Sequence, residues 1–202
     1  MAEINEQEVL HIANGGGSLS EKDLTGLNLH RAPLAGSDFS GSDVRGTNLR
    51  GANLSGADFS NAKLTEANLS EANLRQANMS SSDMSDVFLI EARLFATDFT
   101  NANLTGSNMR GAHMTGGVCL DGASLVGVNM RGANLEKGTL RNADLTVAIM
   151  NRVNMTDADL SGADLSAATL NGGIFTRANM KSVKLRDAIL DASNLENARL
   201  DS

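Results

Sequence analysis

Residues 49–64 read Leu49-Arg50-Gly51-Ala52-Asn53-Leu54-Ser55-Gly56-Ala57-Asp58-Phe59-Ser60-Asn61-Ala62-Lys63-Leu64, and their spacing decides the fold. An apolar residue stands at every fifth position, Leu49, Leu54, Phe59 and Leu64, with Ala52, Ala57 and Ala62 two places before the last three. Followed outward, the apolar centres run back to Leu24 and forward to Met114 without a gap. One step of six then carries Met114 to Leu120, and the five-residue period resumes to Leu200, giving 36 centres in all. Two positions before the centre, from Ala32 to Ala198, 29 of 34 residues are Ala, Ser, Thr or Gly, so there is room for only one large inward side chain per unit. Directly before the centre, Asp or Asn fills 22 of 36 positions, which places a backbone-bonding side chain beside most bends.

A period of five suits neither a helix at 3.6 nor a strand at 2. On a helix the centres would be smeared around the circumference, since five residues turn through about 500°. What buries both the centre and the small residue is a coil with a short extended side and a turn in each unit. Each residue then packs above its copy one coil away, at about 4.8 Å, with backbone groups paired between coils. The iterated Ala-(Asp/Asn)-Leu-(Ser/Thr/Arg)-Gly unit, as in Ala52-Asn53-Leu54 and Ala163-Asp164-Leu165, resembles the pentapeptide-repeat family. That resemblance implies an all-β fold: a right-handed quadrilateral β-helix, a solenoid of about nine coils and on the order of 43 Å long.

Residues 1–18 lie outside the repeat and 19–202 carry it, with the phase slip between 114 and 120. Asn5-Glu6-Gln7-Glu8 has the form of a capping box, and Val9, Leu10, Ile12 and Ala13 follow before Asn14-Gly15-Gly16-Gly17. The segment is therefore expected to be a short helix covering the first coil, where an open end would template aggregation. Units continue to Leu200, so Leu195 and Leu200 are candidates for an exposed end through which a homodimer forms.

Composition narrows the function. There is no Trp or Tyr and there are only six Phe, three of them (Phe39, Phe59 and Phe99) in one phase of the 20-residue coil. A single cysteine excludes a disulfide framework. No apolar run reaches the roughly 20 residues of a membrane span and no leader pattern opens the chain, so a cytoplasmic protein without membrane contact is expected. The net charge of -7 argues against direct nucleic-acid binding.

Ser and Asp are repeat residues with no His set beside them as a triad, and the chain reads as a non-enzyme without catalytic residue, metal or cofactor. His113, Cys119 and Asp121 form the one ligand-like cluster, at a spacing that matches no common zinc pattern.

The reading is a non-enzymatic scaffold that binds another protein. Phe88, Ile90 and Phe95 stand at outward positions beside the centres Leu89 and Leu94 and make a candidate partner patch. Sorted by the coil period, the side containing Asp38, Asp58, Asp98 and Asp159 carries six acids against three bases. The side with Asp43, Asp83, Asp144 and Asp164 carries eight acids against four bases. The other two sides together hold six acids and nine bases, including Arg50, Arg110 and Arg131. Some pentapeptide-repeat proteins bind DNA gyrase as mimics of duplex DNA and protect it from quinolones, so the resemblance implies gyrase or another topoisomerase as the alternative partner of the acidic sides. Those relatives favour Phe centres, and this chain has Leu and Met.

Overall fold

The computed structural model describes residues 4–201, so residues 1–3 and 202 of the two segments lie outside the described residues. The chain winds so that Asn53 pairs with Pro33 on one coil and Asn73 on the next, and this spacing of 20 residues repeats along the stack. Four units complete each coil. The first side is taken as the one centred on Leu24 and Val44, the second on Leu29 and Leu49, the third on Leu34 and Leu54, and the fourth on Leu19 and Phe39.

The unit Ala57–Asn61 shows how the backbone is satisfied. Ala57 N–H closes a turn onto Leu54 C=O at 3.1 Å. Asp58 N–H donates back one coil to Ser37 C=O (3.0 Å), Phe59 N–H forward to Asn78 C=O (2.7 Å) and Asn61 N–H forward to Ser80 C=O (3.0 Å). The remaining N–H, of Ser60, goes to the Asp58 carboxylate at 2.8 Å. All five donors are used, which is what a tightly packed coil requires. Asp or Asn before the centre is thereby explained: the side chain supplies the acceptor that the coil lacks at the next-but-one residue. Asn also donates to its copy, as Asn73 does to Asn53 at 3.0 Å and Asn78 to Asp58 at 3.1 Å.

The expected all-β class is corrected by this arrangement. Among the described residues the one regular element is a helix, and every pairing between coils is an isolated parallel bridge one residue long. There is no β-strand among them, so the β-helix and solenoid description does not hold. The physical reason lies in the unit. Two of its five residues form the turn, and the small residue spends its N–H closing that turn, so only the residue before the centre can pair in both directions. The structure is a stack of turns tied by single bridges.

Each turn has a left-handed residue two places after the centre. Where the centre is Leu54 it is Gly56 (φ 68°), but Glu66 (φ 60°), Arg152 (φ 59°) and even the β-branched Val147 (φ 53°) occupy the same place. A left-handed residue at the third place of a four-residue turn, closed by the fourth N–H onto the first C=O, is the mark of a type II turn, for which Gly is the usual residue. Non-Gly residues there cost on the order of 1 kcal/mol each, offset by the inter-coil bond of the same residue.

Inside, one column of centres on the fourth side runs Phe39, Phe59, Met79, Phe99, all fully buried. Phe39 and Phe59 stack with centroids 4.5 Å apart and planes within 1°. Phe99 shares their column but is separated from Phe59 by Met79. Leu19 is also fully buried, and its N–H reaches Asp38 C=O at 2.8 Å, so it is a further centre ahead of Leu24.

The helix α1 (Glu6–Asn14) has Asn5 as N-cap, its side chain accepting from Gln7 and Glu8 N–H while Glu8 accepts from Asn5 N–H. Val9 is buried against the first coil. Asn28 N–H, which has no preceding coil to donate to, reaches the Glu6 carboxylate at 3.2 Å. At the equivalent place on the next side stands Pro33, which has no N–H to satisfy.

Candidate interaction surfaces

The fourth and first sides meet at one corner, so the two acidic surfaces are contiguous and the corner between the second and third sides lies opposite. Bridges align Asp38 with Asp58 and Asp23 with Asp43, one coil apart. Hydrogen bonds keep several of these carboxyls ionised. The Ser18 hydroxyl and then Ser40 hold Asp38 below the ordinary carboxylate range, and the Thr25 N–H does so for Asp23. Asp164 is lowered to about 2, first by Ser166 and then by Lys184, whose ammonium lies 3.0 Å away.

Bases neutralise part of the acidic corner. Arg45 pairs with Asp43 at 2.7 Å, Arg141 with Asp159 at 2.8 Å, and Lys184 with Asp164. Asp58, Asp83, Asp98 and Asp144 have no ion-pair partner among the described residues. The unneutralised acid is therefore concentrated toward the N-terminal half, at Asp38, Asp58, Asp83 and Asp98.

Depressed carboxyl values imply acid lability. With an unfolded value near 3.9, the stabilisation from Asp164 is fully present above about pH 4 and disappears as pH falls toward 2. Melting followed by circular dichroism is expected to be flat above pH 5 and to drop between about pH 4 and 2. Asp164→Asn keeps the acceptor for Ser166 and should flatten part of that drop; an unchanged profile would contradict the assignment.

The apolar trio separates on inspection. Phe88 replaces Asn in an Asn column, between Asn68 and Asn108, and is 45% exposed. Ile90 is half-buried beside a shallow hollow formed with Arg50 and Glu71. Phe95 is half-buried: the Arg75 guanidinium covers its ring at 4.6 Å, and the ring also lies against Gly116. Leu195 and Leu200, in the last coil, are 37% and 51% exposed.

His113, Cys119 and Asp121 are not brought together. His113 lies on the third side with Nε2 3.7 Å from Glu91, whereas Cys119 is on the fourth, its sulfur 3.2 Å from the Thr100 hydroxyl. No group of three His, Cys, Asp or Glu among the described residues is placed to hold a metal ion. No described helix is long and apolar enough to cross a membrane.

Five-residue units, four to a coil, with a surface made only of outward side chains, define a repeat protein in which the stack is the scaffold. The chain belongs to the pentapeptide-repeat family: the family model for pentapeptide repeats matches it in overlapping segments from residue 18 to residue 201. Among solved structures it is similar to QnrB1, described as a plasmid-mediated fluoroquinolone resistance protein, at 22% identity over 89% of this chain and 92% of that one, with a TM-score of 0.77. A trypsin-treated variant of the same protein matches at 20% identity over 89% and 91% of the two chains, with a TM-score of 0.66. HetL, a pentapeptide-repeat protein involved in heterocyst differentiation regulation from the cyanobacterium Nostoc sp., is 28% identical over 96% and 95%, with a TM-score of 0.41. For the two QnrB1 structures the likeness is one of fold. No match was found among curated proteins.

Proposed function

We propose that the chain is a non-enzymatic protein-binding module whose acidic corner imitates the phosphate field of duplex DNA and engages a DNA-binding partner, DNA gyrase or a related topoisomerase. The observation that carries this reading is the placement of the unneutralised carboxylates on two adjoining sides: Asp38, Asp58 and Asp98 share one column, with Asn78 between the last two, and Asp83 stands on the next side beyond Lys63. A basic DNA channel is attracted to a fixed row of negative charge, and coils about 4.8 Å apart present that charge on a rigid support. The fold likeness to a fluoroquinolone resistance protein supports the choice of partner.

The purified protein is expected to inhibit gyrase supercoiling, with inhibition weakening as salt rises. Changing Asp58, Asp83 and Asp98 together to Lys should raise the half-inhibitory concentration at least about tenfold, since charge reversal turns attraction into repulsion. If wild-type protein leaves supercoiling and fluoroquinolone sensitivity unchanged over a wide concentration range, the reading fails.

A further inference from the structure

The corner opposite the acidic one carries a groove that the proposed function does not use. Arg110 and Arg131 occupy the first turn position in successive coils, and Arg152 the second turn position one coil further on. Gly111 and Gly132 line it at the place where other coils carry a side chain such as Glu91 or Arg152; the Glu91 carboxylate lies over Gly111, while the space at Gly132 is open. A Cβ on Gly132 would meet nothing within 4 Å, so the missing side chain leaves a hollow, and the open groove measures about 610 Å³.

The arginines of the groove have unused donor capacity. Arg45, Arg141 and Arg177 each find a carboxylate within 2.8 Å. Arg110, Arg131 and Arg152 have no ion-pair partner among the described residues. Each guanidinium presents five N–H donors and no acceptor, so the groove calls for a ligand rich in anionic oxygen. Glu91 stands at one end, 3.7 Å from the His113 imidazole, and bounds the positive stretch there. The lining is Arg, Gly, Asn and Glu, with no aromatic side chain to sandwich a base.

We propose that this groove binds a linear oligophosphate, held by Arg110, Arg131 and Arg152 through its phosphate oxygens alone. Three guanidiniums in three consecutive coils, about 4.8 Å apart along the stack, suit a chain of phosphates better than a single one. The phosphates could be free or form the tail of a nucleoside triphosphate.

Isothermal titration of the full chain at low salt, with tripolyphosphate and with ATP as separate probes, tests the proposal. Saturable binding of both is expected, equal within about threefold because no aromatic side chain holds the base, and weakening steeply with salt. Arg131→Gln should weaken tripolyphosphate binding about tenfold, in line with the loss of charge-assisted hydrogen bonds. The triple variant Arg110→Gln, Arg131→Gln, Arg152→Gln should abolish binding, while Arg199→Gln on the fourth side should leave it unchanged. No saturation at millimolar tripolyphosphate, binding retained by the triple variant, or tighter binding of a single-stranded oligonucleotide than of tripolyphosphate would each overturn the proposal. Gyrase inhibition by the triple variant should persist, so this proposal and the acidic-corner reading stand or fall separately.

Discussion

Replacing Phe59 by Ala is expected to lower stability by about 3–5 kcal/mol, among the largest losses any single truncation would cause here. Phe59 is fully buried and stacked on Phe39 at 4.5 Å. Its loss leaves a gap between Phe39 and Met79 in a column whose spacing is set by backbone bonds such as Phe59 N–H to Asn78 C=O at 2.7 Å, so the coils cannot collapse to fill it. Met79 is flexible enough to occupy part of the space, which argues for the lower half of the range. Each coil touches only its neighbours, so a weakened coil also uncouples the segments on either side. Urea unfolding is expected to show a lower midpoint and a broader transition. A loss below about 1 kcal/mol would mean that the stack relaxes along its axis, contrary to the bonding just described.

The inward pattern was legible because every unit must solve the same packing problem. A medium-sized centre and a small residue two before it are all that a narrow coil admits, so the sequence repeats the solution from Leu24 to Leu200. Leu19 escaped that reading because Lys22 occupies the place where the next unit should have a small residue, and Gly15-Gly16-Gly17 precede it. The absence of strands was not legible. Periodicity tells which residues face inward, whereas strand or bridge depends on how many consecutive N–H groups remain free once the turn has closed. Left-handed residues were equally hidden, since Glu66, Arg152 and Val147 have no common propensity for that conformation and are held in it by the coil.

Outward chemistry divides in the same way. The two acidic sides could be counted from phase alone, because phase fixes which residues share a column. Lys184 over Asp164 follows the same phase, whereas neutralisation of Asp159 by Arg141 could not be counted, as it depends on a side chain reaching across 18 residues, off the coil period. The basic groove was invisible for a related reason: Arg110 and Arg131 were evident in sequence, but the hollow between them is made by the missing side chain at Gly132.

Phe95 reads as an exposed aromatic because its contacts come from other coils, and this gives the second large effect. Gly116→Ala is expected to destabilise the protein by about 2–4 kcal/mol, and Phe95→Ala introduced with it should restore a good part of the loss. Gly116 has φ 77°, but so unusual a φ is not decisive in this chain, since Gln76, Ala96 and Lys137 sit at φ 54–61° at the same kind of turn position. Backbone conformation alone therefore costs about 1 kcal/mol. The larger part is steric: a Cβ on Gly116 would run into the Phe95 ring. The ring cannot swing away freely, because the Arg75 guanidinium lies over it at 4.6 Å. This also gives a physical role to the one-residue slip, whose two glycines, Gly116 and Gly117, both have positive φ and turn the chain past the ring before Cys119 resumes pairing with Asp98. A double-mutant cycle measured by chemical denaturation separates the two contributions. If Gly116→Ala costs as much in the Phe95→Ala background as in wild type, backbone strain accounts for the glycine and the ring does not.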